Sequence, residues 1–354
     1  MTISKNGGVN RRDVLKLGTA LAVSPLLAGT ARAQSAPITL VNWGGDSLKG
    51  MTDAFAAPFE KATGIKVQVD TSGPSAGKIR AMVQSGKVTW DVCDGTVGYC
   101  LELGPAGLLE EIDYAIVPKT ATLDSFAFKW GVGSYAYSSV LAFDKEKFKD
   151  KAPSNWADFW NLKDFPGRRL LRADLPTMLE AALMADGVDP AKLYPLDTKR
   201  GFEKLREIKE NTIFWKTAAE SAQLLRNGEV VMGNIWSTRA APLSMEPNSK
   251  IGFTWNQGIL QSAVWIVPKG NPAGREAVMK LIAFMQQPEP AIALSRVLYC
   301  GPMSPAAAAA LPADLRPLVP TAPENVKVQV PMDGMWYAEN YQKELPKYLD
   351  LIAS

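Results

Sequence analysis

The chain has 354 residues, 47% of them apolar and 21% charged, with a formal net charge of +3. That composition excludes disordered, fibrous and disulfide-framed classes. Histidine is absent, which removes the commonest general base, the usual transition-metal ligand and the near-neutral pH switch together. Three cysteines cannot build a four-thiolate zinc site, so neither a metal nor a cofactor is indicated. At roughly 150 residues per domain the length suggests about two domains.

The chain opens on Arg11-Arg12 followed by Val14-Leu15-Lys16, then an uncharged apolar run and Ala31-Arg32-Ala33. This order predicts a twin-arginine signal peptide over residues 1–33, cleavage before Gln34 and export to a bacterial periplasm. Residues 1–33 hold Lys5, Arg11, Arg12, Lys16 and Arg32 against Asp13 alone. The remaining chain therefore carries about −1, which gives it no reason to seek nucleic acid or anionic lipid. Beyond this leader no apolar run reaches the ~20 residues of a bilayer span.

After Pro37 a β-rich run, Ile38 to Asn42, precedes an amphipathic stretch, Leu48 to Thr63, and a second β-rich run, Ile65 to Asp70. A Ser/Gly/Pro loop, a helix from Lys78 to Ser85 and the run Trp90 to Cys93 follow. This alternation predicts an α/β fold with mostly parallel sheets, in which ligands bind at the carboxyl ends of strands, here Trp43-Gly44-Gly45 and Cys93 to Gly98. A second such region is expected from Leu170 to Arg172, the helices Thr177 to Asp186 and Thr198 to Asn211, and Val230 to Trp236. The run Ser262 to Val267 should return the chain to the first region, before helices at Arg275 to Met285 and Glu289 to Val297.

Catalytic patterns fail on inspection. Gly73-Pro74-Ser75-Ala76-Gly77 matches G-x-S-x-G, yet without histidine a Ser-His-Asp mechanism cannot be assembled, so a secreted hydrolase is disfavoured. The segment reads as a turn before a helix, either a plain connection or part of a ligand site. Gly77-Lys78 lacks the Ser/Thr of a phosphate-binding loop. Glu110, Glu111 and Asp113 read as a solvated cluster rather than a calcium site. Tyr135 and Tyr137 would share one face of a strand and raise the alternative of ferric ion. Cys93 and Cys100 bracket six residues and could close a disulfide in an oxidising compartment. Trp43 and Trp236, each ending a β-rich run, are the aromatic walls expected of a binding cleft.

VNWGGD (Val41 to Asp46), FEKATGIKV (Phe59 to Val67), WDV (Trp90 to Val92), SNWADFW (Ser154 to Trp160), GEVVMGNIW (Gly228 to Trp236), WIVPKGNP (Trp265 to Pro272) and LIAFMQQPEPA (Leu281 to Ala291) occur in order. Together they resemble the spermidine/putrescine-type periplasmic solute-binding proteins of ABC importers. The resemblance implies no enzyme but a monomeric two-lobed clamp that captures a small organic solute and delivers it to an inner-membrane permease. Lobe 1 is expected over 34–140 with 262–306, and lobe 2 over 141–261 with 307–354. The chain would cross between them near Gly133 to Phe143 and near Gln261.

By position the resemblance places the family's contacts at Trp43, Thr96, Asp174 and Trp236. The acidic residue that assists the cleft aspartate falls on Thr177, and the Trp-x-Asp pair that grips an ammonium falls on Gln261 and Ala263. Arg172 and Arg239 add cationic groups that can hold a carboxylate. Gly44, Gln261 and Ser262 complete the candidate set. The reading favours a small carboxylate or zwitterion over the polyamine alternative.

Overall fold

The computed structural model describes residues 36–44, 46–149 and 151–354, so the expected leader lies outside the described residues. Alternating β-rich and amphipathic segments form a ten-stranded mixed sheet flanked by helices, in agreement with the α/β reading. The strands are β1 (Ile38–Val41), β2 (Val67–Asp70), β3 (Val92–Thr96), β4 (Val132–Asp144), β5 (Arg169–Arg172), β6 (Thr212–Trp215), β7 (Met232–Trp236), β8 (Ile251–Ile266), β9 (Gly301–Pro302) and β10 (Val330–Pro331). Their order is β2-β1-β3-β8-β4-β7-β5-β6, with β9 on β4 and β10 on β8.

Two parallel groups, β2-β1-β3 and β7-β5-β6, flank the antiparallel pair β4 and β8. β3 pairs antiparallel with β8, and β7 with β4. Three antiparallel pairings thus separate β3 from β7, so the two groups run in opposite directions. The register makes their carboxyl ends face each other. Thr96 is opposite Ala263, whereas Trp236 is opposite Ser139 and, through it, Ile259. Four residues of β8 separate these ends, roughly 13 Å at a strand's rise.

β8 is longer than the return strand expected from Ser262, because its first half, Ile251 to Gln257, is half-exposed and polar and lacks the apolar run of the second. The β4–β8 register shifts between Ser139 and Leu141. There Trp255 to Gly258 bulge outward, and Gln257 adopts a φ of 57°. Trp156 anchors the bulge by donating its backbone N–H to Gln257 Oε1 (3.0 Å) and its indole N–H to the Gln257 carbonyl (2.9 Å). Two large apolar clusters pack the flanking helices. One gathers Phe55, Phe59 and Trp265; the other gathers Trp156, Phe159, Phe165 and Tyr348. Each such fully buried side chain contributes about 1.5–3 kcal/mol.

The cysteines correct an expectation. Cys93, Cys100 and Cys300 are free and buried. The segment between Cys93 and Cys100 is not a loop to be stapled: it ends β3 and begins the helix Val97–Leu103, with the Thr96 hydroxyl accepting from Tyr99 N–H at 3.2 Å. Cys93 and Cys100 pack in one apolar cluster with Val41, Val264 and Ile266. Burial pushes the Cys100 and Cys300 thiols up to about 12.

Arg169 is wholly buried and has no carboxylate partner among the described residues. It donates instead to the carbonyls of Phe159 (2.6 Å), Gly167 (2.6 Å) and Phe165 (2.5 Å), tying that turn to β5. Burial lowers its pKa to about 10, so it stays charged at neutral pH. Arg169→Met strands these carbonyls and should cost about 3 kcal/mol or more, read as a lower denaturation midpoint. Thiol titration of protein recovered from the periplasm should count no accessible cysteine in the native state and three on unfolding; a Cys93–Cys100 disulfide would leave one.

Candidate ligand-binding site

The opposed strand ends bring most candidate residues to one place. Trp43 follows β1 and is 50% exposed, so its indole is available to a solute. Asn42 shapes the turn beneath it, its Oδ1 accepting from Gly44 N–H at 2.7 Å. Gly44 has a φ of 75°, which a side chain would strain. The motif serine Ser75 caps the helix Ala76–Ser85 by accepting from Lys78 N–H, while Gly73 approaches the Trp43 ring. The segment is therefore a helix start next to the aromatic wall.

From the opposite group, Arg172 ends β5 and lies over two indoles, 5.7 Å from Trp215 and 5.1 Å from Trp236. Its Nη2 is 2.8 Å from Asp174 Oδ2, with both side chains about a quarter exposed. Asp174 Oδ1 accepts from the Tyr341 hydroxyl (2.9 Å) and from Leu175 N–H (2.9 Å). Asp174 thus steadies Arg172 and has few sites left for a solute. The Trp236 ring packs edge-on against Tyr137 (5.8 Å) and Trp215 (5.4 Å), and its indole N–H is buried without a partner. Trp236 also precedes the helix Ser237–Met245, which no side chain caps; its first N–H groups remain open to an anion. Arg239 lies in that first turn. Its guanidinium donates to the Thr238 carbonyl at 3.0 Å and has no carboxylate partner among the described residues.

Gln261 and Ser262 lie on β8 between the groups, on opposite faces of the sheet, Gln261 towards Ser139 and Ser262 towards Met303. Gln261 donates to Ser139 Oγ at 3.2 Å, and Thr177 donates to the same oxygen at 3.0 Å. Ser262 donates to the Ala263 carbonyl. Both residues are under 5% exposed. Opposite Gln261 stands Tyr137, here an aromatic floor. Its neighbour Tyr135 donates to Asp94 Oδ2 at 2.8 Å. Among the described residues no cluster could hold a metal ion.

Several site residues escaped the sequence reading. Tyr341 and Tyr348 come from the helix Gly334–Ala353, which supports Arg172 and Asp174: Tyr348 donates to the Arg172 carbonyl. The recurrence of Tyr337, Tyr341 and Tyr348 at helical spacing was the available signal, obscured by Pro346 within the helix. Asp94 was passed over as a loop residue. It is fully buried on β3, and burial raises its carboxyl to about 7 against the lowering effect of Tyr135.

A pocket of opposed strand ends walled by indoles and floored by tyrosine defines a solute-binding clamp. Residues 54–324 match the bacterial extracellular solute-binding protein family, and the chain belongs to that family. A gamma-aminobutyric acid-binding protein of Pseudomonas aeruginosa is 34% identical over 319 residues, 88% of this chain and 90% of that protein. A solved GABA receptor superposes with a TM-score of 0.83 at 31% identity, covering 90% of this chain and 98% of that one. An ABC transporter substrate-binding protein from Bradyrhizobium japonicum gives 0.84 at 37% identity, covering 90% and 99%. The protein is thus the substrate-binding component of an ABC transporter: it captures a small organic solute in the periplasm and hands it to a membrane permease, without catalysis.

Asp94 makes apo-protein stability pH-dependent. Because its folded pKa lies above the unfolded value of 3.8, the folded state holds a proton that the unfolded state has lost between those values. Stability should therefore fall as pH rises through about 7. Asp94→Asn should flatten that slope in denaturation midpoints measured from pH 5 to pH 8.

Proposed function

We propose that the solute is a small zwitterionic amino acid of the γ-aminobutyrate kind, held by its carboxylate at Arg172. The observation that carries this reading is the Arg172 guanidinium, fixed over Trp215 and Trp236 at the end of β5. The uncapped start of the helix Ser237–Met245 and the unpaired Arg239 add donors for the same anion. Two relatives named for γ-aminobutyrate support it. A polyamine would need several free carboxylates; Thr177 and Ala263 stand at two such positions, and Asp174 is already engaged by Arg172 and Tyr341. The spermidine/putrescine subtype is accordingly less supported.

In this mechanism no bond is broken. Lobe 1 (34–140 with 262–306) and lobe 2 (141–261 with 307–354) close about β4 and β8, burying the solute between Trp43 and Thr96 on one side and Arg172 and Trp236 on the other. The protein acts as a monomer, and the pattern around Arg11-Arg12 supports export by the twin-arginine route. Titration calorimetry with ω-amino acids, α-amino acids, organic acids and polyamines tests the reading. We expect γ-aminobutyrate or a near homologue to bind best, and micromolar spermidine binding would overturn the proposal. Arg172→Ala should weaken binding by at least about a hundredfold. Arg239→Ala should weaken it with a melting temperature close to wild type, because the side chain has no structural carboxylate to lose.

A further inference from the structure

We propose that Asp94 is the acceptor for the solute's ammonium group, so that the solute lies along the floor of the cleft from Arg172 to the end of β3. The inference rests on the zwitterion reading above and deepens it to an ω-amino acid, in which several methylenes separate the two charges.

Register supplies the geometry. Asp94 is opposite Trp265 and Thr96 is opposite Ala263, which sets both on the sheet face shared by Gln261. Tyr137 is opposite Gln261, and Trp236 is opposite Ser139, so Tyr137, Ser139 and Trp236 belong to that same face. Tyr135, two residues before Tyr137 on β4, reaches Asp94 directly through its hydroxyl. A row therefore runs from Arg172 over Trp236 to Tyr137, then Tyr135, then Asp94. The Tyr137 phenol lies in the field of both ends. Burial raises its pKa foremost, Arg172 lowers it and Asp94 raises it.

Asp94 is fully buried, yet only Oδ2 has a partner; Oδ1 has none among the described residues. It forms no ion pair there. The titratable groups facing it are Tyr135 and Tyr137 from β4, Cys93 beside it on β3 and Cys300 before β9, and none is a cation. A buried carboxyl oxygen without a donor is costly, and a ligand ammonium supplies both the hydrogen bond and the charge. Asp174 cannot serve as well, since Arg172, Tyr341 and Leu175 already occupy it.

The row also sets the ligand's length. Same-face neighbours on a strand lie about 7 Å apart, and the row extends beyond the Tyr135–Tyr137 step at both ends. An α-amino acid carries both charges on one carbon and cannot reach both groups. An ω-amino acid separates them, and on closure of the clamp its apolar part would lie on the tyrosine and indole rings.

Calorimetry of the full-length mature chain with γ-aminobutyrate, 5-aminovalerate and valerate separates the possibilities. Wild-type protein should bind the better of the two amino acids at least about a hundredfold more tightly than valerate, and Asp94→Asn should reduce it to the valerate level. Equal affinity for valerate and 5-aminovalerate in wild type overturns the inference without recourse to any variant. So does an Asp94→Asn protein, folded by circular dichroism, that retains wild-type affinity for an amino acid; in that case the zwitterion reading survives. Wild-type protein that binds neither amino acid overturns both.

Discussion

The antiparallel ladder between β4 and β8 governs the rest of the molecule. β4 spans 13 residues and β8 spans 16, and each pairs with its own parallel group on its outer edge. Because this pair intervenes, the two groups run head to head rather than side by side. The carboxyl ends of parallel strands carry the loops and helix starts that bind ligands. Head-to-head placement doubles that resource, and one gap receives Trp43 and Thr96 from one group and Arg172 and Trp236 from the other. The gap falls where β4 presents Tyr137 and β8 presents Gln261.

Polar groups around the gap divide by how completely they are satisfied. Arg169, just behind the site, is saturated by backbone carbonyls and serves the fold. Ser139 gathers Gln261 and Thr177 into an internal network at positions where the resemblance would place polyamine contacts. Arg172 and Asp174 are held by each other, by Tyr341 and by two indoles, an arrangement that fixes the guanidinium in the cleft and, in the function proposed above, would lower the entropy cost of binding. Asp94 Oδ1 and the Trp236 indole N–H are left without partners.

Much of the architecture was legible in local patterns. The helix Arg275–Met285 agrees with its expected bounds, and the helix Pro288–Leu298 differs by a residue at each end. β5 and β7 lie within a residue or two of the runs that announced them. These segments are amphipathic or uniformly buried, so periodicity reports their environment. The misses have separate causes. The first half of β8 is polar because it bulges toward solvent, the helix Gly334–Ala353 contains a proline, and β6 is only four residues long. The disulfide expectation failed because spacing cannot distinguish a loop between two cysteines from a strand running into a capped helix.

At the site, position at a strand end was enough to nominate Trp43 and Trp236, since that is a local property, while Asp174 was nominated by the family resemblance and Arg172 and Arg239 as cationic groups near those positions. The sequence also determined that no histidine-dependent chemistry is available to this protein. Which groups are already spent was decided only by tertiary structure: Asp174 is taken by Arg172 and Tyr341, Gln261 by Ser139, and Asp94 is half satisfied by Tyr135. Apart from Arg172 with Asp174, these pairings join residues tens to hundreds of positions apart, because a hydrogen bond depends on how the sheet and the helix Gly334–Ala353 are brought together and not on distance along the chain.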